Sequence, residues 1–338
     1  MERSIYYRYL LSILLILSLS ISPYLGKAQK EFPHDTNYYE TFPNKLTGRL
    51  YLTQKYLHFG IPSLSSGKNI SYVANAKMNL GIGVTWHNLS FNAFYGVKFL
   101  NNSKSKKGNT KGLNLQLHLF PKKWAFDVLG VFPKGYYIDN EDFKPSVGDY
   151  YYRPDIKSTY VGISAYRVPN KEKFSYRAAI IQNEWQKKSA GSFLYGGEAY
   201  YGTFKGDSAL VPNAIQNNFS QAGINSVNFF RIGIGGGGAY TVVIDKHFFI
   251  MASVVGNIGA DFVNEKSTGS SNKKTSFYPS FIYKTALGYN SATWDISANV
   301  TGNQLWMKGA SSSKNYFLPL GNIRLVLSKK FDLKKHKT

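Results

Sequence analysis

The densest run of polar and titratable side chains is Lys173-Phe-Ser-Tyr-Arg-Ala-Ala-Ile-Ile-Gln-Asn-Glu-Trp-Gln-Lys-Lys188. Arg177 and Glu184 are a complementary pair, and Gln182, Asn183, Gln186, Lys187 and Lys188 surround them with donors and acceptors. Read as a strand, the run puts Phe174, Tyr176 and Ala178 on one face and Ser175 and Arg177 on the other. Alternation loses register at Ala179–Ile181. A bulge there returns Gln182, Glu184 and Gln186 to the polar face and turns Trp185 outward. The chemistry on offer is electrostatic. Arg177 and Glu184 either tie strands together or form part of a patch that binds a solute or a plug, in a lumen of low effective dielectric.

Other candidates for chemistry are thin. Gly233-Ile-Gly-Gly-Gly-Gly238 looks like a phosphate loop, but Ala239-Tyr240-Thr241 follows where a Lys and a Ser or Thr are needed. Close packing or a bend in a strand is the better reading. The histidines His34, His58, His87, His118, His247 and His336 stand in no metal-ligand spacing with a carboxylate. His118 reads as a side chain of a polar interior. Ser192 lies in Ala-Gly-Ser-Phe-Leu-Tyr, which is not a nucleophile elbow. The absence of cysteine excludes disulfides and zinc–thiolate sites. The expectation is a protein that is not an enzyme and carries no metal and no cofactor.

The elements that must hold these residues are strands. Leu113, Leu115, Leu117 and Leu119 alternate with Asn114, Gln116 and His118. Leu89, Phe91, Ala93, Tyr95, Val97 and Phe99 share one face, with Ser90 and Asn92 opposite. Trp294, Ile296, Ala298 and Val300 face away from Asp295, Ser297, Asn299 and Thr301, and Ile323, Leu325 and Leu327 face away from Asn322, Arg324 and Ser328. A sandwich gives this pattern too. Several segments, such as 227–244 and 247–263, are longer than the 9–11 residues that cross a bilayer at a tilt. Aromatics also crowd the segment ends, at Trp86, Trp124, Tyr136, Tyr137, Trp185, Tyr200, Tyr201 and Trp306, as in interfacial girdles. The fold class is therefore all-β, an antiparallel transmembrane β-barrel of about 12–14 strands. Thirteen candidate strands include 70–86 and 173–186, and because single-chain bacterial barrels have even counts, one assignment is expected to fail. Alternating short inner and long outer connections breaks down between 165 and 204. Segments 205–225, 264–274 and 304–315 read as long polar loops.

Arg3 and Arg8, the apolar run Leu10–Ile21, and Gly26 and Ala28 before Gln29 form a signal-peptide pattern. The run is too short for a spanning helix of about 20 residues. The expected organisation is signal peptide 1–28, a short periplasmic lead 29–45, an outer-membrane barrel 46–331 and a basic tail 332–338. The net charge of +22 and the 16% aromatic content suit an exported barrel with lysine-rich loops beside anionic head groups. Export argues against nucleic acid as a partner.

The central run, Phe-Ser-Tyr-Arg-Ala-Ala followed by Gln-Asn-Glu-Trp-Gln-Lys-Lys-Ser-Ala-Gly-Ser-Phe-Leu, resembles the domain-of-unknown-function 4421 family, exported proteins of Bacteroidota-type bacteria. Arg49-Leu-Tyr-Leu-Thr-Gln-Lys-Tyr56, Lys134-Gly-Tyr-Tyr-Ile138, Tyr152-Arg-Pro-Asp155 and Lys246-His-Phe-Phe-Ile250 support it. The resemblance implies an outer-membrane β-barrel and supplies no activity. Three functions remain open on the sequence. The first is a pore or passive carrier for small polar or anionic solutes, with a net-basic lumen that concentrates anions. The second is a closed structural or secretion-accessory barrel. The third is a soluble periplasmic lipid-binding β-protein.

Overall fold

The structure is a computed structural model. It describes residues 33–333 except 65–68, 77, 87–88, 97–105, 122, 140–149 and 313. The chain divides into units Met1–His34 and Asp35–Thr338, and the sheets lie in the second. The signal-peptide segment falls outside the described residues, as do the turn at His87-Asn88 and the last five residues of the tail.

The elements in chain order are strands β1 (Tyr39–Thr41), β2 (Lys45–Ile61), β3 (Ile70–Val73), β4 (Asn79–Trp86), β5 (Leu89–Gly96), β6 (Lys111–Leu119), β7 (Trp124–Ile138) and β8 (Tyr152–Arg167). A short helix α1 (Tyr176–Ile180) and strand β9 (Glu184–Gln186) follow. Then come β10 (Ala190–Lys205), a 3-10 turn at Asn213–Asn218, β11 (Ile224–Ile244), β12 (Phe248–Ser267), β13 (Ser270–Tyr289), β14 (Trp294–Lys308) and β15 (Asn315–Asp332). Every ladder is antiparallel. The ring runs β2-β3-β7-β8-β10-β11-β12-β13-β14-β15 and returns to β2, so the hydrogen bonds close through ten strands. The remaining three strands of this sheet attach beside β3: β4 pairs with β2, β5 with β4, and β6 with β7. The closed ring is thus smaller than the expected 12–14, because β3 closes the circle over only a short stretch where β4, β5 and β6 would otherwise continue it.

The alternation has the expected cause. On β11, Ile232 and Ile234 are exposed while Arg231 and Gly233 are buried, and Ile234 is 77% exposed. Leu113, Leu115 and Leu117 face outward, and so do Ile296, Ile323, Leu325 and Leu327, while Ser297, Asn299, Asn322 and Arg324 are buried. The outer wall is apolar and the inner wall polar, the inverse of a soluble sheet protein. Lys45 and Asp332, with the turns at 245–247 and 290–293, mark one end of the barrel, the turn end. Residues 62–69 and 206–223 mark the other, the loop end.

Two regions depart from the sequence reading. Residues 173–186 are not a bulged strand. Ser175 caps α1 by accepting from Ala178 N at 3.0 Å, two alanines favour the helix, and Gln182 at φ 50° ends it. Loss of this strand alone does not give the ring its count, because the ten-stranded ring also leaves 89–99 and 112–120 beside it as β5 and β6, but the helical segment explains why connection lengths do not alternate across 165–204. The expected strand 70–86 also splits into β3 and β4. Conversely, 264–274 is no loop: β12 and β13 pair to Ser267↔Ser270 around a turn with Gly269 at φ 85°. Beyond buried Glu265 its polarity reflects water on both faces of a projecting hairpin, not a loss of strand. Tyr136 and Tyr200 are buried inside, so they do not belong to an aromatic girdle; Trp86 and Tyr201 are exposed on the wall.

Inside the ring, two apolar clusters lie at different heights. The loop-end cluster includes Phe59, Tyr72, Tyr136, Phe204 and Tyr316, with Leu210, Val211 and Phe219 supplied by the connection 206–223. Phe59 and Phe204 stack at 4.2 Å between centroids. The turn-end cluster includes Phe120, Tyr166, Phe249, Met251 and Ile282 around Phe174, Tyr176, Ala179, Ile180 and Ile181 of the α1 region.

Candidate functional site

The chain between β8 and β10 folds into the turn end of the barrel as a plug. The Arg177–Glu184 pair forms there: Arg177 Nε lies 3.1 Å from Glu184 Oε1 and also donates to Asn183 Oδ1 at 3.2 Å. The pair joins the helix to β9 instead of bridging strands across a lumen. Ser175 Oγ donates to Glu184 Oε2, so one carboxylate serves both the ion pair and the helix cap. Gln182 Nε2 donates to Ala179 O at 2.7 Å and to Ser297 Oγ of β14 at 3.0 Å. Gln186 Oε1 accepts from Ser175 N at 2.8 Å, and its Nε2 donates to Lys173 O at 2.8 Å and Lys188 O at 3.0 Å. Burial lowers Lys171 from the usual lysine range; the Glu184 carboxylate opposes that shift.

The N-terminal segment latches this plug. β1 pairs with β9, Tyr39↔Gln186 to Thr41↔Glu184. Lys187 Nζ lies 3.5 Å from Glu40 Oε2, and Lys188 Nζ sits 5.7 Å from the Tyr38 ring. The wall holds the plug from the other side. Arg49 Nη1 donates to Ile181 O at 2.5 Å, Asn290 Nδ2 to Ala178 O at 3.3 Å, and Tyr176 OH shares a short hydrogen bond with Ser253. The structure therefore brings Arg177, Gln182, Asn183, Glu184 and Gln186 together as a bonded core, with Lys187 and Lys188 on its latched side. Their hydrogen bonds run to the plug itself, to β1 and to the wall.

Between the apolar clusters lies a charged layer that sequence reasoning missed. Arg231 is fully buried; its Nε is 3.1 Å from Glu198 Oε1, and its Nη1 is 3.0 and 3.1 Å from the two oxygens of Asp261. Its remaining donors reach the backbone carbonyls of Trp306, at 3.3 Å, and Tyr278. Glu198 also accepts from Ser280 Oγ at 2.5 Å and from Asn257 Nδ2 at 3.1 Å. The signal was present, since each charge is isolated on the inward face of an alternating strand. The pairing, however, depends on the register Arg231↔Asp261, which the sequence does not declare.

The glycine run has its explanation here too. The β11 ladder passes through it without a bulge or a break in register. A Cβ on Gly235 would lie 2.1 Å from Asn257 Oδ1, the atom that accepts from Tyr166 OH. The run leaves room for the polar layer.

Two further struts cross the interior. Lys284 Nζ of β13 reaches Asp127 Oδ2 of β7 at 2.5 Å, and Asp127 Oδ1 lies 2.5 Å from His118 Nδ1, which places His118 inside as expected. Gln116 Oε1 of β6 accepts from Arg324 Nη2 of β15 at 2.5 Å. The described residues hold no cluster of three or more His, Asp or Glu arranged for a metal ion.

Sequence comparison decides the family. Residues 33–327 match the family described as "Domain of unknown function (DUF4421)". The chain belongs to this family. Among curated proteins, none matches it in sequence. Solved structures with a similar course of chain include three that show the range of the likeness. The outer membrane protease OmpT of Escherichia coli shares 9% identity over 86% of this chain and 98% of that one, with a TM-score of 0.37. Ail, the attachment invasion locus protein of Yersinia pestis, shares 9% identity over 85% and 99%, with a TM-score of 0.21. The Pseudomonas putida toluene transporter TodX shares 8% identity over 87% and 92%, with a TM-score of 0.23. The barrel architecture of this DUF4421 chain rests on its own ladders, and proteolysis, attachment and toluene transport remain properties of those proteins.

Proposed function

We propose that the protein is a closed, non-conducting outer-membrane β-barrel that serves as a rigid membrane body for the segments at its loop end. Membrane placement is supported by the apolar outer wall around a polar interior, and by the signal-peptide pattern. The observation that carries the closed reading is the filled interior. Apolar clusters occupy both the turn-end and loop-end levels, and between them Arg231, Glu198 and Asp261 have no accessible side-chain surface. A pore for polar or anionic solutes needs a continuous hydrated path, whereas these charges are spent on one another. The apolar wall also disfavours a soluble lipid carrier, since a soluble fold does not turn Ile234, Ile258 and Phe277 to water together.

Planar-bilayer recording tests this reading. The purified full chain, refolded and inserted, should give no conductance steps at moderate voltage. Reproducible ohmic steps would overturn it and restore the pore. Fractionation tests the placement: recovery in the soluble periplasm without detergent would remove the membrane body altogether.

A further inference from the structure

Strand register gathers lysines into a row near the loop end. Lys134 of β7 lies opposite Lys157 of β8, and Lys157 lies opposite Lys205 of β10. The same line continues through Ser226 of β11 to Lys266 of β12. All four lysines are exposed. Their chain neighbours point inward: Ile156 and Ser158 flank Lys157, Phe204 precedes Lys205 and Glu265 precedes Lys266, and all of these are buried. The row therefore stands on the outer wall. Side chains directly opposite one another have Cβ atoms about 4.5–5.5 Å apart, and like charges so placed destabilise a sheet. Three lysines on adjacent strands work against the fold until an anion lies among them. Asp155, two residues up the same face of β8, spends both oxygens on Arg153 at 2.8 Å each.

The lines below the row are graded. Two residues further down each strand, Thr159, Thr203, Asn228 and Asn264 form the next outward line, half-buried and able to donate hydrogen bonds. Two residues further again come Val161, Tyr201, Phe230 and Phe262, each 42–48% exposed, with the two phenylalanine rings stacked at 6.2 Å. Exposed Ile163 and Ile232 follow. Four residues separate the lysine line from the aromatic line, about 13 Å along the strand and about 10 Å along the membrane normal at the usual tilt. That is enough to span a head-group layer of about 5–8 Å. The order of cation, hydroxyl or amide, aromatic ring and aliphatic chain matches the order in which a phosphorylated lipid presents phosphate, polar linkage and acyl chains. A free phosphate would meet only the first line.

We propose that the outer wall across β7, β8, β10 and β12 binds the phosphate groups of an outer-leaflet lipid among these lysines, with the acyl chains lying on the aromatic line below. Phosphate oxygens accept charge-assisted hydrogen bonds from neighbouring lysines and remove their repulsion. The inference rests on the membrane placement proposed above and names the lipid that this placement meets.

The test uses the full chain in non-ionic detergent micelles. Native mass spectrometry measures retention of a diglucosamine lipid bearing two phosphates against the same lipid with none. The phosphorylated lipid should be retained at least about tenfold better. Lys157→Gln/Lys205→Gln should remove most of that difference, and Lys157→Arg/Lys205→Arg should keep it. Lys246→Gln/Lys329→Gln, which removes equal charge at the turn end, should leave it unchanged. Inorganic phosphate should fail to displace the lipid; displacement would overturn the lipid as the source. Equal retention of the two lipids, or equal loss in the turn-end variant, would overturn the site. So would wild-type retention by the glutamine variant, since the chain's own carboxylates would then neutralise the row. If the double variant fails to fold, Lys205→Gln alone should still weaken retention, and unchanged retention would count against the site. Fractionation reports on placement separately: a chain recovered in the outer membrane that does not discriminate between the lipids loses this site and keeps the membrane body.

Discussion

Arg231→Met is the most demanding perturbation of the closed barrel. The guanidinium fills its place completely: Glu198 on one side, both oxygens of Asp261 on another, and the carbonyls of Trp306 and Tyr278 beyond. Removing one partner of a buried pair costs about 3–5 kcal/mol, because the other is left charged and unsolvated. Here two carboxylates are stranded, and each carbonyl left without a donor adds about 1–3 kcal/mol. Relaxation and protonation reclaim part of the sum, so a loss of at least about 4 kcal/mol is expected. Total stabilities are about 5–15 kcal/mol, so the midpoint should move far down a urea titration. The assay is reversible unfolding in micelles, followed by tryptophan fluorescence and by gel mobility without heating. Arg231→Met/Glu198→Gln/Asp261→Asn removes the stranded charge and should recover more than half of the loss. A single variant within about 1 kcal/mol of wild type would refute the account, since that is the range of an exposed pair. So would a triple variant no more stable than the single one, because the cost would then come from lost volume.

Two further outcomes probe the plug and the wall. Arg177→Met and Glu184→Gln should couple by at least about 0.5 kcal/mol in a double-mutant cycle, with Glu184→Gln also loosening the cap at Ser175; additive losses would reject the 3.1 Å pair as an energetic unit. Leu117→Arg should cost about 2–4 kcal/mol in a bilayer if Leu117 lies near the midplane, whereas Gln116→Glu, facing Arg324 inside, should cost far less. Equal unfolding midpoints for those two variants would mean that the wall is not lipid-facing at β6.

Where one face meets water or lipid and the other a polar interior, period-two alternation is legible, as in Leu113–Leu119 and Trp294–Thr301. At the loop end the interior is itself apolar. Phe59, Tyr72 and Phe204 point inward beside outward hydrophobics, and the contrast between faces disappears. The plug failed for a different reason. Five residues of helix are too few to show a 3.6-residue period, so Ser175 before Tyr-Arg-Ala-Ala is its visible mark, and a serine also fits a strand's polar face. The Arg177–Glu184 pairing survived that error because both residues still converge when the segment turns back on itself. Arg231, Glu198 and Asp261 were out of reach because they meet only through cross-strand register.

The β2–β15 ladder is the seam that joins the two ends of the sheet. Its rungs join Lys45–Gly60 to Phe317–Asp332, so the circle stays open until the last strand of the sheet arrives. The plug belongs to the middle of the chain, between β8 and β10. Closure must therefore take place around a plug already inside, or the plug must enter afterward through the turn end, where β1 catches it. The first route makes the plug a mould for the curvature of the wall; the second makes the β1–β9 pairing the final kinetic step. Pulse-labelled refolding separates them: protection of β9 amides before or after those of β15 tells which event comes last. Loop closure over so long a separation is slow on either route.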